Sequence, residues 1–269
     1  IFPNLEYLEI DFDEAQKLLL SNIVKHRMHR LKELSLRKFN DGERLCQILY
    51  RMPNLEKLHL WDEEYLLKES SMSHLGTVIQ LKELVLWKLK IKDIGFEQEP
   101  VLQRLELLHI SWCHKLRNLA PPSISLAYLT NLEVECCDGL SNLMASSTAK
   151  SLVQLKSMKI SECKRVEEIV TNEGNDEEEQ IVFDKLITIE LEGLEKLKSF
   201  CSYKNYEFKF PSLEILIVRE CPMMQRFSEG GARAPKLQNI VAAVEGNEET
   251  KWKWEGDLNA PIQKVFNYK

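Results

Sequence analysis

Apolar residues recur along this chain in a six-position pattern, Leu-x-x-Leu-x-Leu with Ile, Val, Met or, once, Ala as substitutes, and they do so ten times. The opening residues are Leu5, Leu31, Leu55, Leu81, Leu105, Leu129, Leu155, Leu186, Leu213 and Leu237, separated by 24 to 31 residues. The most regular copies read LELLHI at 105–110, LTNLEV at 129–134, LKSMKI at 155–160 and LEILIV at 213–218. Alternation with a period of two predicts strands, because successive side chains point to opposite faces. The fourth and sixth positions then face a core, and the third, fifth and seventh face the other way. A strand this short cannot bury its apolar side alone, so successive copies must stack against one another.

A second signature follows several strands: a small apolar residue and then two apolar positions at steps of three. It reads Cys113, Leu116, Leu119; Cys137, Leu140, Leu143; Cys163, Val166, Ile169; Leu194, Leu197, Phe200; and Cys221, Met224, Phe227. Free cysteine behaves as a small buried hydrophobe, which suits a column of stacked turns. Residues 13–29 and 41–50 carry apolar positions at helical period, so the first returns are expected to be helices and the later ones irregular. The segment TNEGNDEEEQ at 171–180 is expected to be a solvated acidic insertion. Together these features predict an α/β solenoid over residues 1–242. It is a leucine-rich-repeat horseshoe of about ten repeats, with a parallel concave β-sheet and an irregular or short-helical convex side. Residues 243–269, with Trp252, Trp254 and Phe266 among charges, abandon the repeat and are expected to cap it. At the other end the pattern starts at residue 2 with no polar cap, which leads us to expect a preceding segment.

Charge and cysteine usage narrow the function classes. A net charge of -6 argues against nucleic acid, whose phosphates require clustered Lys and Arg. No apolar run approaches the roughly 20 residues needed to span a bilayer. Seven cysteines are an odd number, Cys136 and Cys137 are adjacent, and no C-x-x-C pair occurs, so neither a disulfide framework nor a zinc site is favoured. Fourteen asparagines form no N-x-Ser/Thr sequon. Both observations lean towards an intracellular, cytoplasmic location.

No H-E-x-x-H, G-x-S-x-G or phosphate-cradling glycine loop is present, so no catalytic, cofactor-binding or metal residue is assigned and no enzyme is expected. His26 and His29 stand three apart without a third ligand. Cys113 and His114 are adjacent and lack an orienting group. Binding candidates come instead from the exposed concave positions. Arg37, Trp61, Trp87, Ser111, Glu135, Ser161, Glu192 and Arg219 hold the seventh position, and His59 and His109 flank Val85 in the fifth. The two tryptophans are neighbours and either reach a partner or fold over onto adjacent stems; Trp and Arg are the side chains most enriched at binding hot spots. Glu133, Glu135, Glu190 and Glu192, relieved by Lys159, give the later part of this face acidic character that would steer a basic partner. The fragment is expected to be a monomer that binds protein.

Several of these segments resemble the C-terminal repeat region of plant intracellular disease-resistance receptors of the coiled-coil, nucleotide-binding, leucine-rich-repeat class. The similar stretches are FPNLEYLEI (2–10), SWCHKLRNL (111–119), FPSLEILIVRECPMMQRF (210–227), APKLQNI (234–240) and WEGDLN (254–259). The resemblance implies an innate immune module that senses a pathogen effector or a host protein altered by one, and that holds the receptor's own nucleotide-binding domain inactive. It also implies ADP or ATP in that domain, outside this chain. The alternative is the substrate-recognition repeats of an F-box ubiquitin ligase, where an Ile-Thr/Ser-Asp type turn should follow each cysteine. Here the corresponding residues are CHKL, CDGL, CKRV and CPMM.

Overall fold

The computed structural model describes residues 4–19, 28–39, 41–62, 81–92, 94, 104–119, 125–174, 177–243, 250–251 and 257–266. In chain order the first half contains β1 (Tyr7–Asp11), α1 (Phe12–Leu19), β2 (Glu33–Arg37), α2 (Gly42–Leu49), β3 (Lys57–Trp61), β4 (Glu83–Trp87), β5 (Leu107–Ser111) and β6 (Asn131–Glu135). Then come β7 (Asn142–Ala145), α3 (Ser146–Ser151), β8 (Ser157–Ser161), β9 (Glu168–Thr171), β10 (Glu179–Val182) and β11 (Thr188–Glu192). The last part holds β12 (Tyr206–Lys209), β13 (Ile215–Arg219), β14 (Ala232–Arg233), β15 (Asn239–Ala243), β16 (Thr250–Lys251) and α4 (Asn259–Phe266).

All ten expected strands form, and they pair in parallel in the order β1-β2-β3-β4-β5-β6-β8-β11-β13-β15. The register never slips: Leu8 faces Leu34, Leu34 faces Leu58, and so on to Leu216 facing Ile240. Keeping register matters, because a one-residue shift would turn every apolar side chain to the wrong face. The fourth- and sixth-position side chains from Leu34 to Ile240 are at most 1% exposed where their burial is described. In β1, the edge strand, Leu8 and Ile10 are only partly buried.

Seven of the ten strands end in the same way. Lys38, Lys88, Trp112, Cys136, Glu162, Gly193 and Glu220 occupy the eighth position and have φ between 51° and 63°. That left-handed conformation turns the chain inward, so that the ninth residue enters the core: Phe39, Leu89, Cys113, Cys137, Cys163, Leu194 and Cys221 are all buried there. The thiol of Cys137 lies 3.8 Å from the Ile110 carbonyl of the preceding repeat and 3.2 Å from the Glu135 carbonyl of its own, while the Cys137 N–H donates to Cys163 Sγ at 3.3 Å. The cysteine column thus satisfies its weak donors within the core. None of its cysteines forms a disulfide among the described residues.

On the outer side, α1 carries Asp13 and Glu14 in its first turn and Lys17 in its last, the arrangement favoured by the helix dipole. It buries Phe12 and Ala15, and the Phe12 ring meets Phe39 edge-on at 5.2 Å. The helical period expected over 13–29 is realised only to Leu19; residues 20–27, including His26, lie outside the described residues, and Met28–Arg30 are not helical. The helix expected over 41–50 forms as α2. The later returns are more ordered than expected. β7 pairs with β9, and β10, β12 and β14 form a second parallel sheet. Beneath them Phe183, Phe200, Phe208, Phe210 and Phe227 pack with ring centroids 4.9 to 6.3 Å apart.

The acidic insertion is also less free than its composition implies. Thr171 belongs to β9, and Glu179 and Gln180 to β10. Asn172 accepts a 2.7 Å hydrogen bond from the buried Tyr206 hydroxyl, and Glu173 accepts from the Ser147 amide at 2.8 Å and the Ser146 hydroxyl at 3.1 Å. Lys150 pairs with Glu179. At Gly174 (φ 87°) a Cβ would meet no other atom within 4 Å.

Past β15 the parallel run stops, and β16 pairs with it antiparallel. Trp252 and Trp254 lie outside the described residues. The WEGDLN segment docks through its last residues: the Leu258 N–H donates to Ala232 O at 3.2 Å. The Asn259 amide exchanges two 2.9 Å hydrogen bonds with the Ser228 backbone, and Leu258 and Ile262 are buried.

Candidate protein-binding face

The strand register sets the inner surface as three straight rows. In the seventh-position row Arg37 faces Trp61, Trp61 faces Trp87, and the row continues through Ser111, Glu135, Ser161 and Glu192 to Arg219. The fifth-position row runs His59, Val85, His109, Glu133, Lys159, Glu190. Two members of the seventh row do not present themselves as expected: Ser111 is 3% and Ser161 5% exposed. Each is a small side chain between larger neighbours, Ser111 between Trp87 and Glu135 and Ser161 between Glu135 and Glu192.

The row places the two tryptophan rings together. Their centroids are 5.8 Å apart at 53°, and Lys88 Nζ lies 4.2 Å over the Trp87 ring. Both tryptophans are half-buried, so each ring packs on its neighbour and still presents a face. Trp61 Nε1 is buried and has no hydrogen-bond partner among the described residues. The aromatic patch also extends further than the alternation indicates. Trp112, in the left-handed eighth position, is 41% exposed and stands edge-on to His114 with centroids 5.9 Å apart. It follows Ser111 directly, so the aromatic edge covers β3, β4 and β5. The signal that would have found it is the offset from Leu105, the same that separates Lys38 from Leu31.

Electrostatics divide the face. On the early strands Glu83 takes hydrogen bonds from Lys57 at 2.9 Å and from His59 Nε2 at 3.0 Å. Burial alone would raise the Glu83 carboxyl, but these two donors outweigh it and hold it below its ordinary value. Arg37 lies 3.1 Å from Asp11 and 3.8 Å from Glu9. Further along, His109 Nδ1 approaches Glu133 at 4.0 Å, and Lys159 sits 3.8 Å from both Glu133 and Glu190. The fifth-position acids are thereby answered within the sheet. Glu135 and Glu192, in the seventh row, and Glu162 beside them form no ion pair with a described cation. Arg219 closes this acidic run.

Among the described residues no cluster of His, Cys, Asp or Glu could hold a metal ion, and no helix is long and apolar enough to cross a membrane. Cys113 and His114 turn opposite ways: the thiol is buried, and the imidazole is exposed 3.5 Å from Asp138.

A continuous parallel sheet on the concave side, alternating strands and a buried column at the ninth position define the class: this is a leucine-rich-repeat solenoid. Comparison with known proteins narrows it. Residues 117–229 match the family described as plant disease resistance protein RPS2-like, leucine-rich repeats. The chain is 26% identical over 248 residues to the probable disease resistance protein At5g47260 of Arabidopsis thaliana, covering 88% of this chain and 23% of that protein. It is also 27% identical over 147 residues to the probable disease resistance protein At4g27220 of the same plant, covering 53% of this chain and 14% of that protein. The chain is thus a leucine-rich-repeat solenoid whose sequence is similar to the repeats of plant disease-resistance proteins. It spans under a quarter of the length of these curated relatives.

Proposed function

We propose that this domain is the protein-recognition and autoinhibitory module of a plant immune receptor, acting inside the cell. Its concave face senses a pathogen effector or a host protein altered by one. In the resting receptor the same domain holds a nucleotide-binding domain, carried elsewhere in the polypeptide and loaded with ADP or ATP, in its inactive state. The observation that carries this reading is the concave row Arg37-Trp61-Trp87, a half-buried aromatic pair flanked by charge on a rigid sheet. Large rigid rings that lose their remaining water on contact are the side chains that dominate protein interfaces. The matched relatives, named as disease resistance proteins, supply the biological setting.

The test is substitution in the intact receptor. Trp61→Ala with Trp87→Ala should abolish the cell-death response to the matching pathogen or produce a response without it, while the protein still accumulates. An unchanged response in that variant, with normal accumulation, would remove the concave face from recognition.

A further inference from the structure

The rim of the concave face joins an aromatic edge to an unanswered acidic one. Trp61 and Trp87 end β3 and β4, and Trp112 directly follows β5. Further along, Glu135 and Glu192 end β6 and β11 at the seventh position, and Glu162 follows β8 at the eighth. The fifth-position row beside them is neutralised by Lys159, which lies between Glu133 and Glu190. The rim trio forms no ion pair with a described cation, and Arg219, in register beside Glu192, marks its end. Cys136, set among these carboxylates, has its thiol pushed up to about 11, by burial first and then by the charge of Glu135. The rim therefore carries a local negative potential next to two half-buried rings and one exposed ring.

The rim side chains at the eighth position emerge from left-handed backbone, as do Lys38, Lys88, Cys136 and Glu220 of the same column. A left-handed residue other than glycine costs about 1–2 kcal/mol relative to the right-handed region. Glycine would remove that cost, and it stands in this column at Gly193. Trp112 and Glu162 instead keep large side chains in left-handed backbone at φ 60° and 54°.

Resting on the recognition reading above, we propose that the partner is a basic protein segment, extended across the strands, with an apolar side chain on the tryptophan edge and Lys or Arg over Glu135, Glu162 and Glu192. Spacing makes this specific. Neighbouring strands lie about 4.8 Å apart and an extended chain advances about 3.3 Å per residue, so cations fall about three and about six residues from an anchor seated at Trp87.

The probe is a fluorescein-labelled peptide with a leucine anchor and arginines at those two intervals, titrated into the full 269-residue chain by fluorescence anisotropy. Two control peptides replace the arginines by glutamine or the leucine by serine. The arginine peptide should bind roughly tenfold tighter than its glutamine control and weaken as salt rises. Combined Glu135→Gln, Glu162→Gln and Glu192→Gln, surface changes that should leave the denaturation midpoint in place, should erase that preference. Equal binding of the arginine and glutamine peptides, or a preference that survives the triple variant, would overturn the proposal. The intact receptor separates the two readings. A pathogen response lost with the paired tryptophan variant but kept with the triple glutamine variant overturns the basic partner and leaves concave recognition standing; a response kept in both overturns the two together.

Discussion

The carboxylate of Glu162 fills the space that a Cβ on residue 193 would need, its Oε1 2.3 Å from that point. Both residues hold the left-handed eighth position of successive repeats, so the glycine makes room for the side chain stacked before it. Gly193→Ala should lower stability by about 1 kcal/mol, the cost of a left-handed alanine, because the Glu162 side chain can swing away. Gly139 is different: a Cβ there would meet the backbone oxygens of Leu116 at 2.3 Å and His114 at 2.6 Å, which cannot move alone. Gly139→Ala should cost about 3 kcal/mol. Urea midpoints that rank the two in the opposite order would contradict the packing described.

Glu220 is exposed and left-handed at φ 51°. Glu220→Gly relieves the backbone while adding freedom to the unfolded chain, so the net gain should be up to about 1 kcal/mol. A loss of stability on denaturation would mean that the Glu220 side chain makes a contact worth more than its backbone strain.

Burial pushes the thiols of Cys136 and Cys201 up to about 11 and that of Cys221 up to about 12. At pH 8 about one thiol in a thousand is then ionised at Cys136 and Cys201, and fewer at Cys221. Peptide mapping after iodoacetamide treatment should find these three unmodified in the native chain and fully modified in urea. Rapid native labelling of Cys221 would show that the column opens far below the global unfolding cost.

The Glu83 carboxyl titrates below its ordinary 4.5 in the folded protein, through Lys57 and His59 overcoming its burial. A depressed folded value stabilises above the unfolded one and is lost as pH falls through the folded one. Between about pH 5 and pH 3 the native chain should therefore lose stability more steeply than the Glu83→Gln variant. Parallel slopes in urea titrations across that window would deny Glu83 this role.

The strand rows were legible because a period of two is local, and one offset from each opening leucine recovers every register pair from Leu8 to Ile240. The burial of Ser111 and Ser161 was not, since it depends on the size of side chains some two dozen residues away. Trp112 escaped for another reason: left-handed turns usually announce themselves by Gly or Asn, and among the seven left-handed eighth positions only Gly193 does so. The outer strands β10 and β12 are too short to declare themselves before their partners are known. Asn172 and Glu173 look like solvent residues until Tyr206 and α3 are brought beside them. For the binding residues, sequence supplied position and identity, while the pairing of Lys159 with both Glu133 and Glu190 needed three strands in space.

The change of return element along the chain also sets how sharply the arc bends. Inner strands are spaced about 4.8 Å apart, whereas packed helices need about 8–10 Å, so α1 and α2 force the early repeats to fan open on the outside. Around β10, β12 and β14 the outside is itself a hydrogen-bonded sheet with the same spacing as the inside, which removes any reason to curve. One contacting molecule would thus meet a cupped surface at the Arg37 end and a nearly flat one at the Arg219 end, so a rounded body suits the first and a straight segment the second.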